Sequence, residues 1–298
     1  MQHVGGKLLV FQSSVPGGSQ DGKLRSKDDV SAYDTEREYK LRIAEDPFFK
    51  RFGGECNRIQ MCIDVFCCPL KFTDAASMSM FPSCTGGQFY FFPGFIYKKD
   101  GPKLKSEVTR NLTRETGWEA VMRVRMGRGL RCTSFHGHFM IRSNDLMALP
   151  TIDPDKAILV QIGHEEQVVT HNVTYLQCAL LYTTSMGERR IRVHTLAIPV
   201  VSDVGQMFKT CDGPAAAAVL AKLAAEKIRT STLRDTTAIL NRKISDILKE
   251  YRRCVRPRRK RNEPTHLPRL STFPRFYALV TDAFFCPCFA CPNPCFYA

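Results

Sequence analysis

Two arginines, Arg123 and Arg125, stand two positions apart in a stretch of alternating residues from Val121 to Met126. Side chains of an extended strand alternate between its faces. Val121, Arg123 and Arg125 therefore share one side, and Met122, Val124 and Met126 the other. Guanidinium groups so placed are roughly 6–7 Å apart along the chain. They repel each other and settle best opposite a carboxylate. That carboxylate can be local, from Glu119, Glu165 or Glu166, which leaves an ordinary exposed sheet face. It can also belong to a bound peptide. Both readings stay open on the residues alone. Gly127-Arg128-Gly129 reads as a turn, with Leu130 to Ile141 as the return strand of a hairpin.

Other residue clusters carry weaker chemistry. Cys286, Cys288, Cys291 and Cys295 offer four thiolates to a zinc ion. Structural zinc sites usually come as two separated Cys-x₂-Cys knuckles, whereas these four crowd together among prolines. His136 and His138 have a spacing that can bind zinc on a strand, but no third ligand lies nearby in sequence. Asp64 interrupts an apolar run and reads as a carboxylate bonded to backbone at a strand end, in preference to a metal or acid site. Lys249 to Arg261 holds eight basic residues and one acid. Its part from residue 252 to 261 suits either a solvated loop or a nucleic-acid contact, and it lacks interleaved aromatics for base stacking. No phosphate loop, G-x-S-x-G elbow, H-E-x-x-H pair or dinucleotide fingerprint occurs, so an enzymatic reading has no motif behind it.

The elements that position these residues differ along the chain. Gly5 to Phe11 reads as a strand, Tyr33 to Ala44 as a helix, and Asp46-Pro47 as the start of a helical turn that Gly53-Gly54 stops. Ile59 to Cys68 is nearly continuous apolar sequence, as in a strand buried on both faces. Thr73-Asp74 caps a short helix to Cys84, and Gln88 to Phe92 is a further strand. This is a parallel α/β pattern. A helix marked by Leu104, Val108 and Leu112 follows. Short alternating strands come next, at Val121 onward, Ala157–Ile162, Val173–Thr183 and Arg190–Val200, the last two joined through Ser185-Met186-Gly187-Glu188. They predict an antiparallel sandwich or barrel. Helices start at Ser202-Asp203 and Asp212-Gly213-Pro214, and a third carries Leu233, Leu240, Ile244, Ile247 and Tyr251 on one face.

With 44% hydrophobic and 24% charged residues over 298 positions, the chain is globular in composition and large enough for more than one domain. A formal charge of +14 favours acidic partners. Thirteen cysteines, odd in number and without framework spacing, imply a reducing compartment and small buried apolar residues. No transmembrane helix is expected. The tail from Phe276 comes closest, and Asp282 and three prolines interrupt it.

Several segments together carry a resemblance: VGGKLLVFQSS from Val4, GEC ahead of IDVF, TGGQFYFFPGF, LTRETGWEAVMRVRMGRGLR, FHGHFMIRSNDLMALP, ALLYTTSMGERRIRVHTLAIPV and LKEYRR. In this order they resemble the cargo-adaptor subunit of the COPII inner coat, the Sec-twenty-four family, from about Val4 to Val280. The resemblance implies a multidomain α and β chain. Residues 1–98 would be the second half of a von Willebrand A-like α/β trunk. Residues 99–201 would form an antiparallel β-sandwich with a leading helix, 202–280 the start of an all-helical domain, and 281–298 a divergent tail. It implies a non-enzymatic role in transport from endoplasmic reticulum to Golgi. The partners would be the other inner-coat subunit (the Sec-twenty-three type), cytosolic export signals of cargo, and peripherally the cytosolic face of the endoplasmic reticulum membrane, not nucleic acid. The family's structural zinc lies N-terminal to this region, so no cofactor is expected here. A partial chain is expected, with a sandwich strand and further signal-pocket arginines supplied by sequence outside it. In the family, an arginine pocket for acidic export signals matches Arg123, Arg125 and Leu181.

Overall fold

A computed structural model describes residues 5–16, 21–143, 145–165 and 171–255. They form two compact units, one of residues 5–30 with 44–199 and one of 31–43 with 200–255.

The first unit begins with β1 (Gly6–Gln12). Helix α1 (Phe48–Arg58) leads into β2 (Met61–Cys67), the short helices α2 (Ala75–Met78) and α3 (Met80–Thr85), and β3 (Phe89–Phe91). The three strands make a parallel sheet in the order β1-β2-β3. All of β2 is buried, as its unbroken apolar run requires. Phe11, Phe66 and Tyr90 are register partners, and their rings stack at 4.9 and 4.4 Å across the three strands. Asp74 caps α2 by accepting from the Ser77 N–H.

Two helical expectations are corrected. Gly53 and Gly54 do not end α1 but lie buried inside it. A Cβ on Gly53 would sit 3.0 Å from the Cys84 Cβ of α3, so glycine serves close helix packing there. Tyr33 to Ala44 is no α-helix. It holds only a 3₁₀ turn at Glu38–Arg42, after Asp34 takes a φ of +58° that breaks helical continuity.

Helix α4 (Tyr97–Thr113) crosses from the parallel sheet to the antiparallel part. There lie β4 (Gly117–Met126), β5 (Leu130–His136), β6 (Met140–Ser143), β7 (Leu146–Ile152), β8 (Leu159–His164), β9 (Val173–Thr183) and β10 (Arg189–Pro199). One sheet runs β10-β9-β4-β7-β6, and β5 pairs β8 in a second. The expected hairpin from β4 into Leu130–Ile141 does not form. Both edges of β4 are taken by β7 and β9, so the Gly127–Gly129 turn carries the chain to the other sheet. Gly127 instead donates its N–H to the Tyr175 carbonyl at 2.7 Å.

In the second unit, α5 (Val204–Thr210) and α6 (Gly213–Ile228) are capped by Asp203 and Asp212. Ala217, Ala224 and Ile228 of α6 bury against Leu240 and Ile244 of α7 (Leu233–Val255). Among the described residues no helix is long and apolar enough to cross a membrane.

Polar contacts bind the two sheet regions of the first unit. Asn57 of α1 donates to the Cys84 carbonyl (2.9 Å) and the Ala148 carbonyl of β7 (3.4 Å). His138 donates from Nδ1 to the Gly87 carbonyl at 2.8 Å. Arg114, just after α4, pairs with Asp153 (3.1 Å) and Asp155 (3.2 Å), and Arg110 pairs with Asp155 at 2.6 Å.

Two consequences can be measured. A Cβ on Gly87 would fall 1.9 Å from the Ile63 carbonyl oxygen, so backbone must move. Gly87→Ala is expected to cost about 3 kcal/mol in chemical denaturation; a loss below about 1 kcal/mol would show that this approach is not tight. The second concerns acid. Hydrogen bonds from Arg110 and then Arg114, with their charges, hold the Asp155 carboxyl down at about 2 against an ordinary 3.8. Its folded value is the lower one, so its contribution is complete above the ordinary value and lost as pH falls through about 2. Asp155→Asn should therefore flatten part of the acid-induced stability loss between about pH 4 and pH 2. An unchanged profile would show that the pairs contribute nothing.

Candidate functional site

Strand β4 lies at the centre of the five-stranded sheet, and its register builds the site. Val121 pairs Leu181, Arg123 pairs Ala179 and Arg125 pairs Gln177 on β9. One strand further, Ile191, Val193 and Thr195 of β10 continue the same rows. Directly paired residues project to the same face. One face therefore carries an apolar row, Val121-Leu181-Ile191, beside Arg123-Ala179-Val193 and Arg125-Gln177-Thr195. Leu181 is half-buried and Ile191 is 70% exposed. On the opposite face Val124 is buried, and Met122 packs on the core of Ala120, Leu149 and Tyr182. The structure thus brings Arg123, Arg125 and Leu181 onto one accessible surface.

The local counter-charge is not one of the acids expected from sequence. Arg123 donates from Nε to Oδ2 of Asp145 at 2.6 Å. Glu119 instead meets Arg189 at 3.3 Å, Glu165 donates its backbone N–H to the Gly129 carbonyl, and Glu166 lies outside the described residues. Asp145 sits between β6 and β7, one residue before Leu146, which pairs with Arg123. The hydrogen bond from Arg123 holds its carboxyl below the ordinary range, and the Arg125 charge adds to this. Reciprocally, Asp145 raises the Arg123 guanidinium. Arg125 is exposed and makes no hydrogen bond or ion pair among the described residues. Reading Leu130–Ile141 as one strand hid the turn at Asp145. The Asn-Asp dipeptide in the sequence there was the available signal for Asp145.

The remaining candidates separate. Asp64 is buried in mid-strand. It accepts from the Gln88 backbone N–H (2.7 Å) and the Asn111 amide (2.8 Å), and pairs with Lys7 at 3.2 Å. The backbone bond is as expected, but Asp64 lies in the middle of β2 and not at a strand end, and it gains an ion pair. His136 ends β5, hydrogen-bonded to Ser134, while His138 lies in the following bend on Gly87. Among the described residues no group of three or more His, Cys, Asp or Glu is placed to hold a metal ion. Cys286, Cys288, Cys291 and Cys295 lie outside them, as does the basic run from residue 256. Arg252 and Arg253 are exposed in the last turn of α7.

Family models match this architecture in order: the Sec23/Sec24 trunk domain at residues 1–112, the Sec23/Sec24 beta-sandwich domain at 117–201 and the Sec23/Sec24 helical domain at 212–280. The chain belongs to the Sec23/Sec24 family. Similar curated proteins include SEC24 proteins. Protein transport protein SEC24 A of Arabidopsis thaliana is 49% identical over 85% of this chain and 24% of its own length. Protein transport protein SEC24 of Dictyostelium discoideum is 38% identical over 84% of this chain and 25% of its own. The crystal structure of the human COPII-coat protein Sec24c superimposes with a TM-score of 0.80 at 30% identity, covering 84% of this chain and 33% of that one. The chain spans about a quarter of the length of these curated relatives.

The Asp145 carboxyl is expected to titrate below its ordinary value, and Arg123→Ala should move it back up. Carbon-13 NMR of the carboxyl resonance checks this, and a titration that Arg123→Ala leaves in place would show that Arg123 is not what holds it down.

Proposed function

We propose that this chain works in a COPII vesicle coat as a non-enzymatic cargo adaptor for transport from endoplasmic reticulum to Golgi. Arg123 and Arg125 take a carboxylate of a cargo export signal, and Leu181 packs an apolar side chain of the same signal. The observation that carries this reading is the shared face of β4 and β9, where two guanidinium groups border a partly exposed apolar row. Charge-assisted hydrogen bonds to a carboxylate supply attraction and geometry, and the apolar row supplies burial. The formal charge of +14 favours acidic partners at longer range. Kinship with SEC24 proteins over most of the chain supports the coat assignment. In this role the chain pairs with the Sec-twenty-three-type subunit and lies peripherally on the cytosolic face of the endoplasmic reticulum and its vesicles. It needs no cofactor for the signal contact.

The test is calorimetric binding of an acidic export peptide to the chain. The double substitution Arg123→Ala with Arg125→Ala should weaken binding about tenfold or more, since each charged hydrogen bond contributes about 1.5–3 kcal/mol. Leu181→Ala should weaken it about threefold to tenfold through lost apolar contact. Unchanged affinity in the double variant would overturn the assignment.

A further inference from the structure

The Arg123–Asp145 contact has a particular shape. A guanidinium offers two edges to a carboxylate, one through Nε and one through the pair of Nη groups. Asp145 engages Nε through a single oxygen, Oδ2, at 2.6 Å. Among the described residues the Nη1 and Nη2 groups of Arg123 make no hydrogen bond. An acid that merely occupied the site would gain most by a fork-to-fork contact with both oxygens. This one holds the side of the guanidinium and leaves the forked end open.

Asp145 is itself tethered. Ser143 pairs Leu146, and Leu146 pairs Arg123, so the turn carrying Asp145 is fixed to the strand whose arginine it holds. Asp145 lies on the β7 side of Arg123. The β9 side is lined by the small Ala179 and leads to Leu181.

We propose that Asp145 is a positioning residue of the carboxylate site: it pins Arg123 through Nε so that the Nη pair is presented to a peptide carboxylate on the Ala179 and Leu181 side. This rests on the reading of Arg123 and Arg125 as a carboxylate site. An unpinned arginine would have to order a long, rotamer-rich side chain on binding, and pinning removes much of that cost. The negative charge of Asp145 also offsets repulsion between Arg123 and Arg125, which both act on it. Opposing this, Asp145 repels an incoming carboxylate. Both groups are solvent-exposed, so screening keeps that repulsion small.

The experiment measures binding of two peptides, one with a glutamate beside an apolar residue and its glutamine counterpart, to the unaltered chain, Arg123→Ala, Asp145→Ala and Asp145→Asn. The unaltered chain should prefer the glutamate peptide, and Arg123→Ala should erase the preference. Asp145→Ala should weaken the glutamate peptide about fivefold and leave the glutamine peptide within about twofold. Asp145→Asn, whose amide oxygen still accepts from Nε, should recover most of the loss. Equal or tighter glutamate binding by Asp145→Ala would make Asp145 only a competing charge and overturn the proposal, as would equal losses for both peptides. If the unaltered chain shows no preference, or Arg123→Ala keeps it, the site reading itself fails, whatever Asp145 does.

Discussion

A carboxylate in the middle of a fully buried strand must be satisfied or the sheet around it cannot form. Asp64 is that group. Its two oxygens take the backbone N–H of Gln88 at the entry to β3 and the side-chain amide of Asn111 on α4, and Lys7 of β1 supplies the opposite charge. One side chain thus ties three strands and the crossing helix. Glycine at position 87 is part of the same arrangement, because a Cβ there would strike both the Ile63 carbonyl and an Asp64 oxygen. Once Asn111 fixes α4, Arg114 three residues on meets Asp153 and Asp155 beyond β7. Strand β4, which carries Arg123, and β7, which Asp145 precedes, follow from there.

The arginines of this chain fall into two kinds, and magnitude separates them. The side chains of Arg114 and Asp153 are only 4% and 1% exposed. Removing one partner of such a buried pair leaves an uncompensated charge, at a cost of about 3–5 kcal/mol. That pair cannot be exchanged for a ligand. Arg123 and Asp145 are 43% and 26% exposed. An exposed pair contributes about 0–1 kcal/mol, so the fold does not depend on it. Burial therefore assigns Arg114 to the fold and leaves Arg123 and Arg125 available for recognition.

What was legible in the sequence follows from which physical signals are local. Alternation from Val121 to Met126 placed the arginines opposite the core correctly, because a half-buried strand must alternate. The unbroken apolar run through Asp64 marked a strand covered on both faces. The Asp-Gly-Pro start of α6 was readable because a cap is a contact within one turn. The misses are non-local. Gly53 and Gly54 look like a helix stop until Cys84 of α3 is known to press against them. The turn after Met126 looks like a hairpin until β7 and β9 are known to fill both sides of β4. Asp145 reaches Arg123 only because β7 joins β4 from 22 positions away in sequence.

The face that Arg123 and Arg125 share with Leu181 depends on an irregularity in β4. Against β9, the chain advances three residues from Trp118 to Val121 while β9 advances two, from Thr183 to Leu181. This is a bulge, and Glu119 within it takes a φ of +50°, uncommon for a residue with a Cβ. Arg189 braces the spot, donating to the Glu119 carbonyl and carboxylate at 3.3 Å and to the Thr183 hydroxyl at 2.7 Å. Carried on without the extra residue, the register through Trp118 would set Val121 opposite Leu180 and Arg123 opposite Cys178. Paired residues share a face, so the arginines would then oppose the core-directed side of β9. The strain at Glu119 is small beside the cost of turning two guanidinium groups toward Tyr182 and Leu149. The bulge is thus the local feature that aligns the charged row of β4 with the apolar row of β9, and the proposed carboxylate site depends on it.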